Sequence, residues 1–69
     1  MYVHIGKAQI IQTNEIIAII HYENYAPAAF LRLLVPMDEV KSFIVTDDFV
    51  FGSPYRAQAI VKKVKEQRL

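Results

Sequence analysis

Phe43-Ile44-Val45-Thr46-Asp47-Asp48-Phe49-Val50-Phe51-Gly52-Ser53-Pro54 is the stretch whose reading decides the fold. Runs of β-branched and aromatic residues flank Asp47-Asp48, and aspartate forms turns well, so residues 43–51 read as a hairpin with a two-residue loop. In that register Thr46 opposes Phe49 and Ile44 opposes Phe51 on one face, while Val45 opposes Val50 on the other. Both faces are apolar, so each needs a cover. Gly52-Ser53-Pro54 then stops the strand and starts a helix, with Ser53 expected as N-cap and Pro54 at the first helical position. Downstream, Ala57, Ile60, Val61 and Val64 recur at the i, i+3, i+4, i+7 spacing of one helical face, with Arg56, Lys62, Lys63 and Glu66 elsewhere on the wheel.

Upstream, Tyr2 to Ile5 and Gln9 to Gln12 flank Gly6-Lys7, which predicts a first hairpin. Glu15 to Tyr22 carries Ile16, Ile17, Ile19 and Ile20, whose stiff side chains suit a pleated surface, so a third strand is expected there. Pro27 fits the first turn of a helix, residues 28–34 propagate it, and Pro36 forbids continuation beyond about Val35. With Arg32 its only charge, that short helix is expected to lie between two surfaces. The expected order is β-β-β-α-β-β-α, a single α+β domain spanning residues 1–69 with antiparallel hairpins and two packed helices.

A 69-residue chain buries only about 60% of the surface its unfolded form exposes. Its hydrophobic fraction is 54% and it has no cysteine, so neither a disulfide nor a thiolate zinc site supplies extra stability. Self-association is the remaining staple. The longest apolar run, Ile16 to Ile20, is five residues, far below the roughly 18 of a membrane span. The N-terminus lacks the pattern of a signal peptide, and a cytoplasmic protein is expected.

The net charge of +1 conceals an asymmetry. Residues 53–69 hold Arg56, Lys62, Lys63, Lys65 and Arg68 against Glu66, a balance of +4, whereas residues 1–52 stand at −3. A basic end of this kind points to an anionic partner, although lysines near a helix C-terminus also meet the negative end of its dipole. Catalytic chemistry has few candidates. His4 and His21 are the only histidines, short of the three protein ligands usual in catalytic zinc. Asp47-Asp48 belongs to a turn, and Asp38-Glu39 follows Pro36 in a polar connection that matches no metal loop. Two glycines make no phosphate loop, and no nucleophile elbow occurs. Tyr2, Tyr22, Tyr25 and Tyr55 lack the basic surround of a base-stacking platform and read as core-edge or interface residues. No catalytic residue, metal ligand, cofactor or small-molecule substrate is therefore expected.

Val3-His4-Ile5-Gly6, the run from Asn14 to Ile20, and Lys41-Ser42-Phe43-Ile44-Val45-Thr46-Asp47 followed by Ser53-Pro54 carry a family resemblance. Their ordered set resembles the small bacterial extracellular matrix regulatory proteins, the RemA/RemB family, and its RemB branch more closely. It covers nearly the whole chain, with residues 23–37 the poorest match. The resemblance implies a cytoplasmic, non-enzymatic regulator of extracellular matrix (biofilm) gene expression, with a fold similar to the LytTR DNA-binding domain and assembly into rings. In the RemA branch, DNA contact is made by an arginine at the start of the third strand and a pair shortly before the fourth. The corresponding positions here are Glu15 and Asp38-Glu39, all acidic, which replaces phosphate attraction by repulsion. Lys41 matches the basic residue before the fourth strand in both branches.

Together these readings predict an oligomeric transcriptional regulator that touches double-stranded DNA through Lys41, Arg56, Lys62, Lys63 and Lys65. Tyr25, Phe30, Leu31 and Leu34 are the expected contacts between copies. Two other readings stand beside it: an oligomeric protein-interaction module without nucleic-acid affinity, and a small metal-dependent enzyme using His4 and His21.

Overall fold

The computed structural model describes residues 1–23 and 30–67. Strands β1 (Tyr2–His4) and β2 (Ile10–Gln12) form the expected hairpin, with Val3 opposite Ile11 and the Ile5 N–H donating to the Gln9 carbonyl at 3.0 Å. A separate four-stranded sheet contains β3 (Ala18–His21), β4 (Leu31–Leu33), β5 (Ser42–Val45) and β6 (Val50–Ser53), in the spatial order β3-β5-β6-β4. Helix α1 (Ala57–Gln67) follows β6. The architecture is α+β, as expected, but the order of elements is not.

The β5-β6 hairpin has the expected register, Ile44 opposite Phe51 and Val45 opposite Val50. Its loop is closed by Thr46, whose N–H and hydroxyl both donate to the Phe49 carbonyl while the hydroxyl accepts from the Phe49 N–H at 3.1 Å. The two residues between them carry the turn.

The expected helix over residues 28–34 is corrected. Leu31–Leu33 is a strand that pairs in parallel with β6, Leu31 with Val50 and Leu33 with Gly52; Pro27, Ala28 and Ala29 lie outside the described residues. Helix propensity is a weak prior that an open sheet edge overrides. Phe30 has φ 56°, a left-handed conformation in which a right-handed helix cannot run on. Beyond it, Leu-Arg-Leu has the period of two that a strand requires. The third strand also starts later than Glu15. Residues 13–15 make a 3-10 turn in which the Glu15 carboxylate accepts the Gln12 N–H at 3.0 Å. The Ile17 N–H then donates to the carbonyl of Val45, the residue that pairs with Ala18, so two residues face one in a bulge.

Ser53 is not a helix cap. It ends β6 fully buried, its hydroxyl donating to the Ile5 carbonyl and accepting the Tyr55 N–H at 3.0 Å. Pro54 consequently precedes the helix, and the Arg56 carbonyl receives the first helical bonds, from Ala59 and Ile60. Ser42, opposite Ser53 and also fully buried, donates to the Tyr55 carbonyl at 2.8 Å. These hydroxyls tie the sheet to the first hairpin and to the approach of α1. Ser53→Ala leaves the Ile5 carbonyl and the Tyr55 N–H without this partner, at an expected cost of about 1–3 kcal/mol. A thermal midpoint unchanged from wild type would show that the tether contributes nothing.

One face of the sheet packs on the hairpin and α1 through Val3, Ile5, Ile11, Ile44, Phe51 and Ile60, with Ile16, Ile19, Leu34 and Val64 at the margin. Arg32, beside Phe51 in register, closes that edge with its guanidinium 4.1 Å from the Phe49 ring centroid. The opposite face centres on Phe43, fully buried, with its ring and that of Tyr22 in a T-shaped pair. Gly52 makes room there, since a Cβ would come within 2.8 Å of Leu33 Cδ2 and 3.2 Å of Val40 Cγ2. Ile20 and Leu33, on the same face, remain 44% and 46% exposed.

Candidate nucleic-acid interface

Two of the five basic residues singled out from the sequence meet in one cleft. Lys41, Arg56 and His21 line a hollow of about 420 Å³ together with Ala57 and Gln58, and no acidic side chain lines it among the described residues. Three separate segments bring them there. His21 ends β3, where it pairs with Ser42, the neighbour of Lys41. Lys41 is held on both sides, its N–H donating to the Ser53 carbonyl at 2.8 Å and its carbonyl accepting the Tyr22 N–H at 3.0 Å. Arg56 follows the turn that Ser42 and Ser53 fasten at Tyr55. The Lys41 backbone is fixed and the side chains of Lys41 and Arg56 are exposed, so the ordering that opposes binding is that of the side chains, about 0.5–1.5 kcal/mol each.

The cleft continues along one flank of the helix. Lys62 and Lys65 line an open trough with Ala57, Gln58, Val61 and Glu66, and Ala57 and Gln58 also border the cleft. The spacing Gln58, Lys62, Lys65 is that of a single helical stripe. Lys63 departs from it. Its ammonium lies 5.3 Å from the centroid of the Tyr55 ring, and it borders a different hollow with Tyr2, His4 and Gln67. Four of the five expected DNA contacts thus share a continuous surface and the fifth faces away.

Glu15, Asp38 and Glu39 are all exposed in 3-10 turns. Glu15 has a local structural role, because its carboxylate closes the capping box with Gln12. His4 and His21 line different hollows, and no group of three or more His, Cys, Asp or Glu side chains comes together among the described residues.

Of the expected contacts between copies, Phe30 is 76% exposed, Leu31 is half-buried, and Leu34 is packed against the core, its Cδ1 3.1 Å from where a Cβ on Gly6 would lie. Tyr25 lies outside the described residues. Ile17 (62% exposed), Ile20 and Leu33 are exposed apolar residues that sequence reasoning did not name as contacts between copies. It also missed His21 as a member of the basic cluster. The only signal was its equivalence to Ser42 across β3 and β5, which is invisible until the strands are paired.

No protein-family model, curated protein or solved structure matches this chain.

Proposed function

We propose that this chain is a RemB-like, cytoplasmic, non-enzymatic regulator of extracellular matrix gene expression, with a LytTR-like fold, that acts as a homo-oligomer and binds double-stranded DNA. The observation that carries the DNA contact is the convergence of Lys41 and Arg56 on one cleft that no acidic side chain lines among the described residues, adjoining a trough lined by Lys62, Lys65 and Glu66. Among the described residues, no helix is long and apolar enough to cross a membrane.

Salt dependence is the direct test. Engagement of four phosphates gives a slope of log K on log salt near −3.6, so duplex affinity falls roughly a hundredfold between 50 and 200 mM salt. A protein that does not bind duplex DNA even at 50 mM salt overturns the proposal. Asp38→Arg, which adds a cation at an exposed turn, is expected to strengthen binding several-fold. Glu15→Arg is the poorer variant, because it also removes the carboxylate that accepts the Gln12 N–H.

The second reading, an oligomeric interaction module without nucleic-acid affinity, is favoured by the exposed apolar side chains Ile17, Ile20, Phe30 and Leu33. Both readings require self-association. Sedimentation at micromolar concentration is expected to show a species larger than one 69-residue chain, and Phe30→Asp to weaken it; a strictly monomeric wild type rules out self-association in either reading.

A further inference from the structure

We infer that the cleft between β3, β5 and α1 is a binding site for a single phosphate group, held by Arg56, Lys41 and His21 together with the Ala57 and Gln58 amides. The inference deepens the DNA reading, which it needs only to say where the phosphate comes from.

The argument begins with the side chains. The cations Lys41 and Arg56 and the His21 imidazole, from three separated segments, border one hollow that no carboxylate lines among the described residues. Like charges brought together repel, and an anion between them converts that repulsion into attraction. The backbone then adds donors of its own. An α-helix cannot satisfy its first amide groups internally, and in α1 the first bonds to the Arg56 carbonyl come from Ala59 and Ile60, leaving the N–H groups of Ala57 and Gln58 beyond the helical ladder. Both residues border the hollow, and the first turn of this 11-residue helix carries no acidic side chain to offset the positive end of its dipole.

The donor set selects the ligand. A guanidinium, an ammonium, an imidazole and two amides offer more donors than the two oxygens of a carboxylate absorb, whereas a tetrahedral phosphate presents acceptors in several directions. The hollow shares Ala57 and Gln58 with the trough lined by Lys62, Lys65 and Glu66, so a phosphate that is part of a longer molecule has a path for the remainder with two further cations and one carboxylate along it. That chemistry is common to a phosphodiester of duplex DNA and to a small phosphorylated molecule.

The test follows backbone amide signals of the ¹⁵N-labelled full chain during titration with inorganic phosphate, with sodium chloride at matched ionic strength as control. Saturable shifts are expected at Ala57 and Gln58, absent with chloride. Arg56→Gln and Lys41→Gln should each weaken phosphate binding about tenfold or more, whereas Lys63→Gln should leave it unchanged. Arg56, Lys41 and Lys63 are exposed, so these variants are expected to remain folded. Non-saturable shifts, or the same shifts with chloride, overturn the inference. Duplex DNA is then added to the phosphate-loaded protein. Displacement of phosphate identifies the DNA backbone as the source and supports both readings. Phosphate binding without any duplex binding upholds the site, assigns it to a small phosphorylated molecule and overturns the DNA proposal. Duplex binding that leaves the Ala57 and Gln58 signals at their phosphate-bound positions upholds the site, assigns it to a small phosphorylated molecule and overturns the contact of DNA with this cleft.

Discussion

Ile60→Asp is expected to abolish the cooperative thermal transition. Ile60 is 1% exposed at the junction of α1, the first hairpin and the sheet, in contact with a cluster that offers no cation. A carboxylate placed there either remains charged without a partner or takes up a proton and buries a carboxylic acid among aliphatic groups. Such substitutions cost upwards of about 4–5 kcal/mol, comparable with the whole stability of a chain this size at roughly 0.05–0.15 kcal/mol per residue. Lys63→Ala is the matched control on the same helix. It removes only the approach of the ammonium to the Tyr55 ring at 5.3 Å, worth about 0.5–1 kcal/mol at an exposed site. Circular dichroism melts of the two variants check the assignment; an Ile60→Asp protein that melts at the wild-type temperature refutes the packing of α1.

Phe43→Ala is expected to have the second-largest effect, about 3–5 kcal/mol. Phe43 is fully buried on the sheet face opposite α1, with the Tyr22 ring T-shaped to it at 5.4 Å between centroids and the place a Cβ on Gly52 would take 3.7 Å away. Removing the ring deletes apolar area and leaves a void that Tyr22 and Val40 fill only in part. Leu33→Ala on the same face should cost much less, because Leu33 is 46% exposed and has less contact to lose. Denaturant unfolding of both variants separates a packed second face from a loose one. A Phe43→Ala cost below that of Leu33→Ala would show that this face contributes little to the fold.

Both predictions rest on positions of unequal legibility. The helical face of Ile60 and the hairpin register of Ile44 with Phe51 were readable because each depends on neighbours close along the chain. A period of 3.6 places residues on a helical face, and a two-residue turn sets which residues oppose one another. The basic character of the C-terminal region was equally plain, since charge is a property of the residues themselves.

The sequence by itself therefore determined the α+β class, both hairpins, the helical face on which Ile60 is buried and Ala57, Val61 and Val64 are half-buried, and the excess of cations near the end. Tertiary structure decided the remainder. Residues 31–33 became a strand because β6 offered a free edge, a partner about twenty residues away that no local propensity registers. Ser53 lay next to a proline in the pattern of a helix cap, yet its hydroxyl went to the Ile5 carbonyl, 48 residues distant, where a buried acceptor needed a donor. Lys41 and Arg56 were visible as cations, but their meeting with His21 depended on β3 pairing with β5 and on the serine-held turn that aims α1. Interactions over a few residues are written in spacing and residue type. Those that close long loops depend on which unsatisfied edges and buried polar groups remain once the local elements have formed.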